Sequence, residues 1–135
     1  IITQEFSTLE LSATDLANYR TELLNGINNK RLTNNLASLN INSQLDNVGK
    51  SLNDKSISTN EPLSSADFSS ALESNNITGS SQLIGRTGNP WKTLLDSIVK
   101  DESSILQDIW KLIGIDIKTD QTGKIHALLI INNSN

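Results

Sequence analysis

The chain has 135 residues, of which 36% are hydrophobic, and a formal charge of −4. This length suits one domain with its own core, so we predict a single domain over residues 1–135. Cysteine is absent and only one histidine occurs, which excludes a disulfide framework and argues against a zinc site or another cofactor. The eleven Lys and Arg residues are scattered, so we expect no nucleic-acid partner, because such binding requires clustered cations.

Several features of the sequence are typical of a secreted, extracellular protein. The chain begins at Ile1 and contains no methionine, so we expect a precursor from which a leader is removed; a shortened chain is the alternative. Asn76 and Asn132 each begin an Asn-x-Ser/Thr sequon and are candidate glycosylation sites. Lys30 and Arg31 form a dibasic pair that a processing protease could cut, although we prefer a solvated helix surface.

The first half of the chain is predicted to be largely helical. Residues 1–11 hold apolar residues without a clean period, and we assign a weak strand to this arm. The Ser12 to Asp15 segment is a helix start signal, and apolar residues follow it at helical spacing as far as Ile27. The same spacing predicts a short helix near residues 32–39 and a third that ends near Asp54.

The middle of the chain is richer in small polar residues. Residues 55–64 contain Pro62 and are predicted to form a connecting loop, and a short helix is predicted from Ser65 to Ser74. Residues 75–88 are rich in Ser, Gly and Asn, and we predict a mobile loop there.

The last third of the chain combines helical and β patterns. Asn89-Pro90 is a strong helix start, after which apolar residues at helical spacing run through residues 91–99 and again through 105–113. Two short helices or one kinked helix fit this pattern. Residues 115–119 and 124–131 favour strands, and the turn at 120–123 between them predicts a β-hairpin.

These elements together predict a mainly α fold. We expect a small bundle of about five or six amphipathic helices with a C-terminal β-hairpin. An α+β fold is the alternative if the N-terminal arm pairs with that hairpin.

No residue set in the sequence points to catalysis. His126 is placed on the last predicted strand, where a lone histidine is more often a surface or interface residue than a catalyst. No Gly-x-Ser-x-Gly elbow occurs, and the turn at 118–125 does not match a calcium-binding loop. We therefore predict that the protein is not an enzyme, while catalysis by carboxylates alone remains an alternative.

One segment resembles a weak anion site. Arg86, Gly88 and Asn89 combine a cation, a glycine-rich turn and a predicted helix N-terminus, which together can hold an anion. A plain flexible turn is the alternative that we prefer.

The function that we predict is that of a non-enzymatic secreted binding domain. Its amphipathic helices would engage an apolar ligand, a cell surface or a protein partner, with contacts from Trp91, Leu95, Trp110 and Ile113. The default interpretation of those residues is the core of the domain. The main alternative is a membrane-active toxin or toxin subunit in which residues 90–114 contact the membrane, and a structural fragment that pairs through an exposed strand is a further possibility.

Overall fold

The computed structural model describes residues 12–134. Within this range the chain forms four α-helices, one 3₁₀ turn and four strands, whose bounds are α1 (Ala13–Thr33), β1 (Asn40–Ile41), α2 (Ser43–Thr59), α3 (Ser65–Ser74), β2 (Ser81–Gly88), α4 (Trp91–Asp101), the 3₁₀ turn (Ser103–Leu106), β3 (Leu112–Thr119) and β4 (Ile125–Asn132).

The strands form one mixed sheet in the order β1-β3-β4-β2. The short strand β1 is parallel to β3, whereas β4 lies between β3 and β2 and is antiparallel to both. The register places Lys118 of β3 and Thr87 of β2 on either side of His126 of β4.

Helices cover both faces of this sheet. Along β4, Ile125, Ala127, Leu129 and Ile131 belong to one hydrophobic cluster, which also contains residues of α1 and α4. The alternate residues Leu128 and Ile130 belong to a second cluster, with residues of α2 and α3. Because side chains alternate between the faces of a strand, the fold has three layers, helix, sheet and helix.

Local sequence signals define where the helices begin. Ser12 and Asp15 form a complete capping box at the start of α1, as the sequence predicts, and each of its two hydrogen bonds measures 3.1 Å. Ser64 and Asp67 form a second capping box at α3, and the side chain of Asn42 caps α2. Helix α4 begins one residue after Pro90, close to the predicted start.

The prediction of a mainly α bundle is wrong. Residues 12–134 form four α-helices, and their core is built on the four-stranded mixed sheet. The hairpin is confirmed as β3 and β4, but instead of standing at the end of a bundle it forms the centre of the sheet. The pairing predicted for the N-terminal arm concerns residues 1–11, which lie outside the described residues.

The second helix predicted over residues 105–113 is also wrong. The chain forms only a 3₁₀ turn there and then enters β3 at Leu112. The guanidinium of Arg31 explains the difference, because it donates hydrogen bonds to the carbonyls of Ile105, Gln107 and Trp110. An α-helix over residues 105–113 would use the first two of these carbonyls internally. Ile109, which the helical pattern placed in the core, is 48% exposed.

Strand β2 corrects the loop prediction for residues 75–88. Residues 81–88 pair along their whole length with β4. Their small and polar side chains give no alternating pattern, so the strand is defined by its partner rather than by its own sequence.

A groove centred on His126

Two adjoining cavities form an open groove on the face of the sheet that also carries α2. Their volumes are about 710 and 420 Å³, and both are lined by His126. We call this region the His126 groove. The larger cavity is lined by residues 54, 57, 58 and 60 of the α2 end and by residues 118–122 of the hairpin. The smaller is lined by residues 53, 56, 62 and 63, by 83 and 85–87 of β2, and by 126–128 of β4.

The floor of the groove follows from the strand register. Lys118, His126 and Thr87 occupy equivalent positions on β3, β4 and β2, and residues directly opposite in antiparallel strands share a face. The floor is therefore a continuous polar row that crosses three strands.

Asp120 anchors the hairpin end of this row. Its Oδ2 lies 2.8 Å from Nε2 of His126, and its Oδ1 accepts hydrogen bonds from the Thr122 and Lys124 amides and the Thr122 hydroxyl. The bond from His126, followed by those from Thr122, holds the pKa of Asp120 well below its usual range. The carboxylate thus stays ionised and fixes both the turn and the imidazole.

Lys118 lies among further carboxylates. Its Nζ is 3.2 Å from Oδ1 of Asp54 and 3.3 Å from Oδ2 of Asp116. The buried amide of Asn53 on α2 donates to the Asp116 carboxylate and to the His126 carbonyl, which holds the helix against the sheet. Asp54 and Asp120 line the groove together with Lys118 and Arg86, and Asp116 lies beside it against Lys118. Because Arg86 is paired with Glu102, carboxylates outnumber the remaining cation.

The arrangement around His126 resembles half of a catalytic site. An acid orients the imidazole, but in residues 12–134 no hydroxyl is hydrogen-bonded to the ring as a nucleophile would be. The described residues also contain no group of three or more His, Cys, Asp or Glu side chains placed to hold a metal ion. What the groove offers chemically is hydrogen bonding and negative charge.

The residues predicted to contact a ligand or membrane lie mostly in the core. Trp91 and Trp110 are each 6% exposed and Ile113 is fully buried, while Leu95 is half-buried at the edge of the same cluster. Contact with a membrane through these residues remains a prediction, and it would require this core to open. No helix among the described residues is long and apolar enough to cross a bilayer.

The residues of the predicted anion site bind other groups of the protein. Arg86 forms an ion pair with Glu102 at 2.7 Å, and Asn89 donates its side-chain amide to the Gly123 carbonyl. Gly88 has a positive φ of 151° in the turn before α4. Anion binding stays a prediction that would require Arg86 to leave its partner.

The dibasic pair lies inside helix α1. Arg31 is only 1% exposed, and its burial lowers its pKa from the ordinary value, although a guanidinium remains charged. The Lys30 ammonium contacts the carbonyls of Val99 and Lys100 at the end of α4. The preferred solvated helix surface is therefore wrong for Arg31, and cleavage would require local unfolding of α1.

The two sequons differ in their surroundings. Asn76 is exposed in a turn with a positive φ, so its glycosylation stays a prediction. Asn132 is 1% exposed, and its side-chain amide donates to the Thr78 carbonyl and the Ser81 hydroxyl. Glycosylation of Asn132 also stays a prediction, and a glycan there would disrupt these buried hydrogen bonds.

Comparison with known proteins identifies the class of fold. No protein-family model matches the chain, and no curated protein matches it in sequence. Solved structures do match. The CAP domain of enterococcal PrgA aligns with a TM-score of 0.63 and 16% identity, over 93% of this chain and 64% of that one. The α/β fold of this chain is thus the fold of CAP domains.

Two further structures share this fold. An outer surface protein from Borrelia burgdorferi aligns with a TM-score of 0.76 and 12% identity, covering 90% of this chain and 96% of that protein. A cysteine-rich secretory protein from Staphylococcus aureus subsp. aureus Mu50 aligns with a TM-score of 0.73 and 20% identity, covering 91% of this chain. The chain spans 40% of the length of that staphylococcal protein.

Proposed function

We propose that the protein is a non-enzymatic recognition domain that acts outside the cell and binds a protein partner in the His126 groove. The observation that carries the proposal is the polar row of Lys118, His126 and Thr87, which lies open between α2 and the edge of the sheet. The side chains of Lys118 and His126 are held by ion pairs and a hydrogen bond, so this part of the groove is preorganised.

Two observations favour a protein partner over an apolar ligand. The apolar faces of α1 and α4 are used in the core, which leaves the helices little apolar surface for a ligand. The groove instead presents carboxylates, a histidine and a few half-buried apolar side chains, and this mixture is typical of protein interfaces. The descriptions of two structural neighbours, a secretory protein and an outer surface protein, support an extracellular location.

The proposal can be tested by selecting short peptides from a random phage-displayed library on the folded protein. Thr87→Arg places a long side chain in the groove, and Thr93→Arg makes the same change at an exposed position of α4. We expect the selected peptides to lose binding to the Thr87→Arg protein and to keep it with Thr93→Arg. Peptides that bind both variants equally well would locate recognition elsewhere and refute the proposal.

A further inference from the structure

The outer edge of β2 has main-chain groups that point away from the sheet. The amide of Asn133 donates to the carbonyl of Ser80 at 3.1 Å, so these residues form a hydrogen-bonded pair in the β2–β4 register. Such pairs alternate along antiparallel strands. The amides and carbonyls of Leu83, Gly85 and Thr87 therefore point outward, away from β4.

The two edges of the sheet are protected differently. On β3, the carbonyl of Ile113 accepts from the amide of Asn42, and the amide of Ile115 donates to the Asp46 carboxylate at 2.9 Å. On β2, the only group within residues 12–134 that is bonded to the outer edge is Arg86, whose Nη1 donates to the Gly85 carbonyl at 2.9 Å. With respect to residues 12–134 the β2 edge is thus largely open, and open edges accept further strands.

This open edge is also one wall of the His126 groove. Leu83, Gly85 and Thr87, whose main-chain groups point outward, line the smaller cavity. A chain that paired with β2 would therefore place every second side chain over the groove. Main-chain hydrogen bonds and side-chain pockets would be available to one extended segment at the same time.

The charge of the groove indicates what that segment carries. Asp54 and Asp120 line the groove, and Asp116 lies beside it against Lys118. The other cation that lines the groove, Arg86, is neutralised by Glu102, so the carboxylates outnumber Lys118. A partner with basic side chains complements this surface, and such complementarity favours the correct partner and accelerates association.

We propose that the partner is an extended, basic polypeptide segment that adds to the outer edge of β2 as a fifth strand and places alternate side chains in the His126 groove. This inference rests on the recognition function proposed above and specifies its mode. The amide of the incoming chain replaces Arg86 at the Gly85 carbonyl, and its own carbonyls accept from the amides of Leu83, Gly85 or Thr87.

The test compares Thr87→Pro with Thr87→Val, using a fluorescein-labelled synthetic copy of a groove-binding phage peptide. Proline removes the outward amide together with the hydroxyl and is compatible with an edge strand, whereas valine removes the hydroxyl and keeps the amide, so the pair isolates the amide. We expect Thr87→Pro to bind the peptide about tenfold or more weakly than Thr87→Val does. Equal affinities for the two variants would overturn strand addition.

A second measurement leaves the protein unchanged, in case Thr87→Pro fails to fold. Two peptide copies are methylated on alternate sets of main-chain nitrogens, and strand addition requires one set to abolish binding while the other is tolerated. Equal tolerance of both sets overturns strand addition but leaves groove recognition intact, provided that Thr87→Arg still blocks the peptide. Dimers of the protein that form through β2 in place of peptide binding would also overturn it.

Discussion

Trp91 and Trp110 are equally buried, but their indole N–H groups differ. Nε1 of Trp110 donates to the Ser104 carbonyl at 3.0 Å, whereas Nε1 of Trp91 has no partner in the described part of the chain. Trp91 instead stacks on Tyr19, with ring centroids 4.5 Å apart, a contact that phenylalanine can keep. We predict that Trp110→Phe lowers the free energy of unfolding by about 1–2 kcal/mol more than Trp91→Phe does. Urea unfolding followed by circular dichroism measures this difference, and a larger loss for Trp91→Phe would contradict the assignment.

Arg31 ties the end of α1 to the segment that precedes β3. Its guanidinium donates to four carbonyls, including that of Ala37, and it is almost fully buried. We predict that Arg31→Met destabilises the protein by about 3 kcal/mol or more, because buried carbonyls lose charged donors. The exposed ion pair of Lys55 with Asp67 supplies the control, since Lys55→Met removes a surface pair of a kind that contributes little to stability. Similar losses in the two variants would show that Arg31 is not essential to this segment.

The Asp120 carboxylate makes part of the stability depend on pH. Its pKa lies well below the ordinary value because of the bonds from His126 and Thr122, so its contribution is complete above the unfolded-state pKa of about 4. That contribution falls progressively as the pH drops below this value, because the unfolded state takes up a proton that the folded state does not yet bind. We therefore predict that Asp120→Asn is destabilising at neutral pH and that its difference from the parent protein shrinks towards pH 3. Unfolding curves at several pH values measure the difference in the free energy of unfolding between the two proteins. A difference that does not change with pH would refute the role of the carboxylate.

At the scale of elements, α2 packs against β3 with no room for a side chain at Gly114. A Cβ on Gly114 would lie 2.3 Å from the Leu45 carbonyl carbon and 2.5 Å from its Cβ, so the helix would have to move. At Gly85 the nearest atom would be the end of the Leu128 side chain at 3.2 Å, which can adjust. We predict that Gly114→Ala costs about 3 kcal/mol or prevents folding, whereas Gly85→Ala costs about 1 kcal/mol or less. Thermal unfolding of both variants tests this, and a mild Gly114→Ala would mean that α2 can shift.

The elements that the sequence predicts are those with local signals. Helix α1 has its capping box at Ser12, α4 follows Asn89-Pro90, and the β3–β4 hairpin has alternation and a turn of its own. Strand β2 and the irregular 105–111 segment depend on distant partners, namely β4 and Arg31. Local periodicity therefore predicts a helix at residues 105–113, where the carbonyls bind Arg31 instead. It predicts a loop at residues 81–88, where β4 supplies the hydrogen-bonding partners of a strand.

The site was harder to predict than the elements. His126 was correctly placed on the last strand, but the groove joins residues near 54, 85 and 120 that only the sheet brings together. No spacing in the sequence indicates that Thr87, His126 and Lys118 form a row, because the order β3-β4-β2 is a tertiary property.

At the scale of the whole molecule, both tryptophans lie on the sheet face opposite the groove and in the core. Because each is 6% exposed, we predict that neutral or anionic lipid vesicles leave the wavelength of tryptophan emission unchanged. The measurement is a fluorescence titration with the folded protein. A blue shift that saturates with lipid would instead support the membrane-active alternative for residues 90–114.

The central claim, recognition of a protein segment in the His126 groove, is tested most directly by mapping backbone amide chemical shifts in ¹⁵N-labelled protein during titration with a selected peptide. We expect the largest changes at Gly85, Thr87, Lys118 and His126, while the amides of α1 and α4 change little. Changes concentrated on α1 and α4, with the groove unaffected, would contradict it.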